Sequence, residues 1–209
     1  MGVSVEDSLK QLLQNNRLIW RGKNTPECSR RGLATGYASL DAVLPEGGWS
    51  QGSLIEVIVP QWGIGELQLF LPAMVTASQA NQQLVWIAPP HIPYAPALVS
   101  NGISLNHVLV LHPSHEHDVS WAMEMVLRQR CCAIALVWAE KLTPKIVRRL
   151  QLAAEEGESL GVLFHSSKYF NNSFAATRLL LTPSKAGLQI TILKSRSAYC
   201  GQTITLSFR

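Results

Sequence analysis

The sequence predicts an α/β fold: a mostly parallel sheet covered by helices on both faces, with antiparallel strands added at its C-terminal edge. Three observations lead to this prediction. Between residues 54 and 165, short apolar runs alternate with segments of helical periodicity. The apolar runs lack the polar alternation of half-exposed strands, as strands covered on both faces do. After residue 165, three strand-like runs follow one another with only turn residues between them.

The N-terminal segment predicts a short amphipathic helix followed by a linker. Val5, Leu9, Leu12 and Leu13 recur at helical spacing in the segment that begins at Ser4. The stretch that follows, residues 20–31, is basic, contains a proline and has no periodicity, so we expect a linker. We therefore predict two parts, an arm over residues 1–32 and one domain over residues 33–209. The apolar residues Leu9, Leu12 and Leu13 are candidate contacts with a partner.

In the central region strands and helices alternate in order. The predicted strands are Leu54–Val59, Leu84–Ala88, Val108–Leu111, Cys132–Trp138 and Gly161–His165. The predicted helices between them begin near Gly65 and cover about Pro96–Asn101, His115–Arg128 and Thr143–Glu156. The connections have crossover length, which predicts parallel pairing. Beyond them, the runs Thr177–Thr182, Leu188–Leu193 and Thr203–Phe208 predict an antiparallel extension over residues 177–209.

Composition and length narrow the class of protein. With 209 residues and 47% hydrophobic residues, the chain is long enough for one sizeable core. No apolar run approaches the roughly 18 residues that a membrane span needs, and the N-terminus carries acids where a secretory signal is basic. We expect a cytoplasmic protein without a membrane segment. Its four cysteines lack a C-x-x-C spacing and are interpreted as reduced thiols.

Charge is distributed unevenly along the chain. From Ala42 to Leu127 there are six acids and no Lys or Arg, whereas the stretch from Ser159 to the C-terminus has six cations and no acid. Such segregation is typical of a protein that binds a polyanion or an acidic protein face, although a merely solvated basic surface gives the same pattern. The candidate DNA contacts in this basic stretch are Lys194, Arg196 and Arg209.

Two glycine-containing turns precede the first core strand. The runs Leu33-Ala-Thr-Gly-Tyr-Ala-Ser-Leu-Asp41 and Gly47-Gly-Trp-Ser-Gln-Gly-Ser-Leu-Ile-Glu-Val-Ile-Val59 resemble the start of the RecA-type ATPase core. There, a T-G-x-x-x-L-D turn precedes a G-G-x-x-x-G turn and then the first strand. This resemblance implies a RecA-like fold of the phosphate-loop NTPase type.

A phosphate loop is expected next, but the sequence does not supply a working one. Such a loop needs G-x-x-x-x-G-K-[ST], because the lysine and the hydroxyl bind phosphate and magnesium. The chain has Pro60-Gln-Trp62-Gly63-Ile64-Gly65-Glu66-Leu67 instead, with an acid in the lysine position. A carboxylate there repels phosphate and removes a catalytic charge. The loop is therefore predicted to be degenerate, and its apolar residues Trp62 and Ile64 either contact a partner or fold back into the vacant nucleotide site.

Two further positions argue against ATPase activity. The strand that should end in a magnesium-binding acid ends in Trp138, and Pro89 and Pro90 stand where a general-base carboxylate would follow a strand. The chain is accordingly predicted to be a non-enzymatic binding protein with no cofactor and no metal. The histidine-rich run His112–Asp118 is attributed to an ordinary helix start.

Three other patterns are interpreted as structural. Gly48-Trp-Ser-Gln-Gly52 matches G-x-S-x-G, but a turn precedes it and a strand follows, the reverse of a nucleophile elbow. Trp121, Met125 and Leu127 are predicted to form a buried helix face. Arg148 and Arg149 are predicted to lie on a solvated helix face.

The degenerate loop resembles two SOS-response families. The Gly63–Leu69 loop and the basic ending Leu193–Leu206 resemble the translesion-synthesis accessory protein ImuA. The stretch from Gln83 to Phe164 is similar to the cell-division inhibitor SulA. Because SulA consists of little more than this central part, the extent of the chain favours ImuA.

Each resemblance implies its own partners. The ImuA resemblance implies an accessory role in error-prone translesion synthesis. Its contacts would be a Y-family-like polymerase subunit, an error-prone replicative-type polymerase subunit and RecA or its DNA filament. The SulA resemblance implies binding of the tubulin-like protein FtsZ and a block of its polymerisation. We adopt the ImuA-type role as the leading expectation and the SulA-type role as the alternative.

Overall fold

The computed structural model describes residues 32–140, 142–166, 173–195 and 200–208. Their strands form a single eight-stranded sheet in the order β3-β2-β4-β5-β1-β6-β7-β8. The strands are β1 Ser53–Ile58, β2 Gln83–Ile87, β3 Val108–Leu111, β4 Cys132–Trp138, β5 Leu160–His165, β6 Thr177–Ser184, β7 Gly187–Lys194 and β8 Thr203–Leu206. The α-helices are α1 Ala38–Asp41, α2 Leu71–Gln79, α3 Ala95–Ser100, α4 Glu116–Leu127 and α5 Pro144–Gly157. Short 3₁₀ helices lie at Pro45–Gly47 and Leu105–His107.

The sheet has a parallel part and an antiparallel part. Strands β1 to β6 pair in parallel, and β1 lies between β5 and β6. Strands β6, β7 and β8 pair antiparallel at one edge. Every residue of β1, β4 and β5 is buried, as expected for central strands covered on both faces. The prediction of a mostly parallel sheet with antiparallel C-terminal strands is confirmed.

Two cores cover the two faces of this sheet, because successive residues of a strand point to opposite faces. One core packs Ile55 and Val57 of β1 against α2 and the aromatic residues around it. The other packs Leu54 against α4 and α5. The last turn of α5 touches the end of α4 at Gly157, where an added Cβ would lie 1.9 Å from the Leu127 carbonyl oxygen. A glycine at this position lets the two helices approach each other.

Two expectations about helices were wrong. The helix predicted from about Gly65 begins at Leu71, since Gly65 has a positive φ and the residues after it form turns. Trp121 and Met125 are exposed, and the buried face of α4 consists of Val119, Met123, Glu124 and Leu127. The expected buried face was wrong because Trp121 and Met125 share one stripe of the helix while Leu127 lies on another.

The longest described helix, α5, has 14 residues. No helix in the described part of the chain combines the length and the apolar character that a membrane crossing requires.

Candidate functional site

The loop after β1, in which the sequence predicts a degenerate phosphate loop, is bonded to its own carboxylate. Glu66 is buried, and its two carboxylate oxygens lie 3.0 and 3.2 Å from the backbone nitrogen of Gly63, which donates to them. In a working phosphate loop, backbone N–H groups of this kind bind phosphate oxygens. In this chain the Gly63 N–H is bonded to a side-chain carboxylate.

The apolar residues of this loop pack inward. Trp62 and Ile64 are partly buried against the core on the α2 face, and Pro60 is exposed. The Tyr37 hydroxyl donates to the Gln68 carbonyl over 2.9 Å, which ties the loop to the segment before α1. The Trp62 indole packs against the core, and both expectations for it, a partner contact and a place in a vacant nucleotide site, stay predictions.

Aromatic rings fill the region next to the loop, at the carboxyl ends of the strands. Phe70 stacks on Trp49 with centroids 4.7 Å apart and meets Phe164 edge-on at 5.8 Å. Phe164 stacks on Trp138 at 5.0 Å, and Trp138 lies 6.0 Å from Trp86. Ligands of open α/β sheets bind beyond the carboxyl ends of the strands. In this chain a continuous column of rings takes up the space beside the loop on that side.

A buried charged cluster joins the three central strands on the opposite face. Glu56 of β1 is 1% exposed, and His165 Nε2 lies 2.8 Å from its Oε1. Arg178 Nε of β6 lies 3.3 Å from the other oxygen, Oε2. Burial by itself would raise the pKa of Glu56. The hydrogen bonds from His165 and Ser173 and the charge of Arg178 outweigh it, so this pKa lies below its ordinary value. The cluster therefore stabilises the ionised carboxylate.

An apolar groove lies at the free edge of the sheet. Strand β3 pairs with β2 on one side and with no other strand of the described chain. The groove lies between this strand, the 3₁₀ helix before it and α3. Its lining is apolar except for one histidine and consists of Ile92, Pro93, Ala95, Leu98, Leu105, Val108, Val110 and His112.

The rim of this edge groove is unusually apolar for a protein surface. Ile92 is 87% exposed and Tyr94 is 72% exposed, and Leu105 is also exposed. Contiguous exposed apolar patches of this kind mark interaction sites. Unpaired edge strands offer backbone groups to a partner as well. The edge groove can therefore bind a protein surface without any chemical step.

The edge groove was not predicted from the sequence. The signal was present as Ile92-Pro93-Tyr94, an apolar run in a proline-rich connection where polar residues are usual. Whether these side chains are exposed cannot be predicted from such a run, because the same residues are compatible with a loop that folds inward.

The other sequence candidates are placed as follows. Lys194 ends β7, and its ammonium donates to the backbone carbonyls of Ser173 at 2.6 Å and Ala175 at 2.8 Å. A DNA contact through Lys194 stays a prediction and would compete with these bonds. The candidates outside the described residues are Leu9, Leu12, Leu13, Arg196 and Arg209. The histidine-rich run does not gather a metal-binding group of three side chains within the described residues.

Comparison with known proteins relates the chain to SulA. It is 32% identical over 99 residues to the cell division inhibitor SulA of Edwardsiella piscicida, covering 46% of this chain and 58% of that protein. It is 26% identical over 96 residues to SulA of Photorhabdus laumondii, covering 46% and 54%. The chain thus spans little more than half the length of these curated relatives. No protein-family model matches the sequence.

Among solved structures, SulA from Pseudomonas aeruginosa resembles this chain with a TM-score of 0.45 and 22% identity. The likeness covers 54% of this chain and 96% of that one. At this TM-score and identity, the structural likeness says nothing about function. Any functional proposal therefore rests on the sequence similarity.

These relatives overturn the leading expectation. The proteins that the chain resembles are named as inhibitors of cell division. The ImuA-type translesion role was therefore wrong as the leading interpretation, and these relatives give no support to polymerase subunits or RecA as partners. The extent of the chain was a misleading criterion for choosing between the two families, because similarity in the central part does not reveal what the flanking segments do.

Proposed function

We propose that this protein is a SulA-type SOS inhibitor of cell division, which binds the tubulin-like protein FtsZ and blocks its polymerisation. The observation that carries the proposal is the 32% identity over 99 residues with a protein named for that inhibition. An inhibitor of polymerisation needs no reaction of its own, since a bound protein that covers an assembly surface suffices. The protein acts in the cytoplasm, where FtsZ assembles.

The edge groove is the contact surface in this proposal. It offers large exposed side chains, Ile92, Tyr94 and Leu105, around an apolar channel. Aromatic and large apolar anchors supply most of the binding energy in protein interfaces, usually from a few residues near the centre. A face of a filament subunit that is buried between subunits has the matching apolar character.

The RecA-like ancestry of the fold is part of the same proposal. The central β1 leads directly into a glycine-containing loop and then α2, as a phosphate-loop protein requires. Two observations support this ancestry. The Glu66 carboxylate accepts from the Gly63 amide, and stacked aromatic rings lie beside the loop, so side chains would fill the site that a nucleotide fills in working phosphate-loop proteins. The protein is accordingly non-catalytic.

Binding of purified FtsZ to the dye-labelled chain, followed by fluorescence anisotropy, tests the proposed function and the edge groove as its contact surface. We expect saturable binding by the unaltered chain. The variant Ile92→Asp/Leu105→Asp should bind at least about 30-fold more weakly, since losing one hot spot costs about 2 kcal/mol or more. Both side chains are exposed, so the variant should keep its fold, and its melting temperature checks this.

Leu152→Asp is the matched control. Leu152 is also an exposed apolar residue, but it lies on α5, against the other face of the sheet. This variant should bind FtsZ like the unaltered chain. Absence of binding by the unaltered chain would refute the proposed function. Equal binding by the groove variant would refute the edge groove as the contact surface.

A further inference from the structure

We propose that the partner bound at the edge groove, FtsZ in the proposed function, contributes an extended, uncharged segment that pairs with β3. This segment becomes a ninth strand of the sheet, and its alternate side chains enter the edge groove. The inference rests on the proposed function and specifies how the contact is made. Its evidence is the free edge of β3 and the apolar groove beside that edge.

The backbone of β3 is bonded to another strand on one side only. Strand β3 pairs in parallel with β2 and ends the sheet of the described chain. The Leu111 carbonyl accepts from the Ala88 N–H over 2.9 Å, so the backbone polar groups of Leu111 point toward β2. Successive residues of a strand direct these groups to opposite sides, so the N–H and C=O of Val110 point to the open edge. An added strand can bond both groups.

Strand β3 lacks the features that usually protect an edge from pairing. Exposed edges commonly carry lysine, proline or a bulge that keeps other strands away. Strand β3 consists of Val-Leu-Val-Leu, and its register with β2 has no bulge. The other edge of the described sheet is more polar, because β8 exposes Thr203 and Thr205. The edge at β3 is therefore the one that fits an added apolar strand.

The edge groove lies where alternate side chains of an added strand would point. Val108 and Val110 line the groove from β3, together with Leu98 of α3. Leu109 points to the opposite face of the sheet and is 48% exposed. A strand paired with β3 would place every second side chain beside Val108 and Val110 and the others beside Leu109. Main-chain bonds combined with pockets for alternate side chains are typical of recognition by strand addition.

Charge indicates the chemistry of the added segment. From Leu67 to His115 the chain has no Asp, Glu, Lys or Arg, and this stretch includes β2, α3, β3 and every residue that lines the groove. A charged segment would lose its water here without gaining an opposite charge. The segment that pairs with β3 is therefore uncharged, with apolar side chains on the side that faces the groove.

The size of the edge favours a partner segment over a second copy of this chain. Two copies that pair through β3 would join strands of four residues, each about 13 Å long. A stable interface buries about 1,200–2,000 Å² in total, more than such short strands supply. A longer partner segment can continue past the end of β3 along the groove to the exposed Ile92.

Amide hydrogen exchange at single-residue resolution tests the proposed pairing. The full chain is measured alone and after saturation with purified FtsZ, whose binding is checked by the anisotropy titration. In the free chain we expect fast exchange at Val110 and slow exchange at Leu111, whose N–H points to β2. Bound FtsZ should slow exchange at Val110 at least about tenfold, with little change at Leu111.

A proline at position 110 tests the same contact by mutation. Val110→Pro removes the N–H that points to the open edge and none of the bonds to β2, so the variant should keep its fold, as its melting temperature checks. Val110→Ala shortens the same groove side chain but keeps the N–H. Val110→Pro should bind FtsZ at least about tenfold more weakly than Val110→Ala, because the partner strand loses a donor.

Thr205→Pro is the matched control on the other edge of the sheet. The Gln202 carbonyl accepts from the Ile192 N–H of β7, so alternation directs the backbone groups of Thr205 away from β7. A proline there also removes an N–H at a free edge of the described sheet. Thr205→Pro should bind FtsZ like the unaltered chain.

Unchanged exchange at Val110 in the FtsZ-saturated chain would overturn strand pairing and leave the proposed function standing. Equal binding of FtsZ by Val110→Pro and Val110→Ala would have the same meaning. Slow exchange at Val110 in the free chain that becomes fast on dilution would also overturn the proposal, because a second copy would then occupy the edge. Absence of FtsZ binding in the anisotropy titration would refute the proposed function and this inference with it.

Discussion

The buried cluster of Glu56, His165 and Arg178 makes a strong prediction about stability. Replacing Arg178 by methionine keeps much of the side chain's apolar stem and removes its charge. Glu56 is 1% exposed, so the variant leaves a buried carboxylate with His165 as its main partner. Removing one partner of a buried ion pair costs about 3–5 kcal/mol. We therefore expect Arg178→Met to destabilise the fold by about that amount.

Urea unfolding measures this loss. With a urea slope of about 2 kcal/mol/M, the midpoint of unfolding should fall by roughly 2 M. The double variant Glu56→Gln/Arg178→Met should recover part of the loss, since no uncompensated charge remains in the interior. A midpoint within about 0.3 M of the unaltered chain for Arg178→Met would contradict a stabilising role of the ion pair. It would mean that the pair contributes no net stability.

The same cluster sets an acid limit on stability. The pKa of Glu56 is lowered in the folded state, so its contribution is present above the unfolded-state pKa and is lost as the pH falls through the folded-state pKa. Unfolding free energy should therefore decrease below about pH 4.5, the ordinary value for this carboxyl. The decrease should be smaller in Glu56→Gln. Parallel pH profiles of the two proteins would contradict this assignment.

Three further predictions concern other parts of the structure. Gly157→Ala should lower the unfolding free energy by about 1–3 kcal/mol, because its Cβ would overlap a backbone carbonyl of α4; an unchanged melting temperature would contradict this close contact. Glu66→Lys places a lysine where a working phosphate loop has one, but it should destabilise the chain and give no melting shift with millimolar Mg-ATP. A rise in melting temperature with Mg-ATP would show that the loop can bind a nucleotide. Burial raises the pKa of the Cys132 thiol to about 12. In a Cys28→Ser/Cys200→Ser background, a thiol reagent at pH 8 should therefore modify the exposed Cys131 and spare Cys132 until urea unfolds the chain. Modification of both thiols in the folded protein would contradict the burial of Cys132.

The sequence predicted the sheet well because its central strands are unambiguous. Runs such as Cys132–Trp138 are too apolar and too short to be anything but buried strands, and this strand has the predicted bounds. Helix α5 was also predicted closely, since Thr143 caps it by accepting from the Ile146 N–H. The helix predicted from Gly65 shows the limit, because the sequence does not reveal that Gly65 adopts a positive φ beside the ring of Phe208, which is distant in sequence.

The candidate site was less predictable because exposure is a tertiary property. Trp121 and Met125 share a helical stripe with the spacing of a buried face, but α4 packs on the sheet through a different stripe. Ile92 and Tyr94 lie in a connection whose inward or outward course no local pattern determines. In contrast, the acid at position 66, where a working phosphate loop has a lysine, can be read directly from the sequence without any tertiary context.

GTP-dependent polymerisation of FtsZ, followed by light scattering and sedimentation with increasing amounts of the purified full chain, tests the proposed inhibition most directly. We expect polymer to disappear as the amount of the chain approaches that of FtsZ. Ile92→Asp/Leu105→Asp should leave polymerisation intact, and Leu152→Asp should inhibit like the unaltered chain. Full polymerisation in the presence of an excess of the folded, unaltered chain would contradict the proposed function.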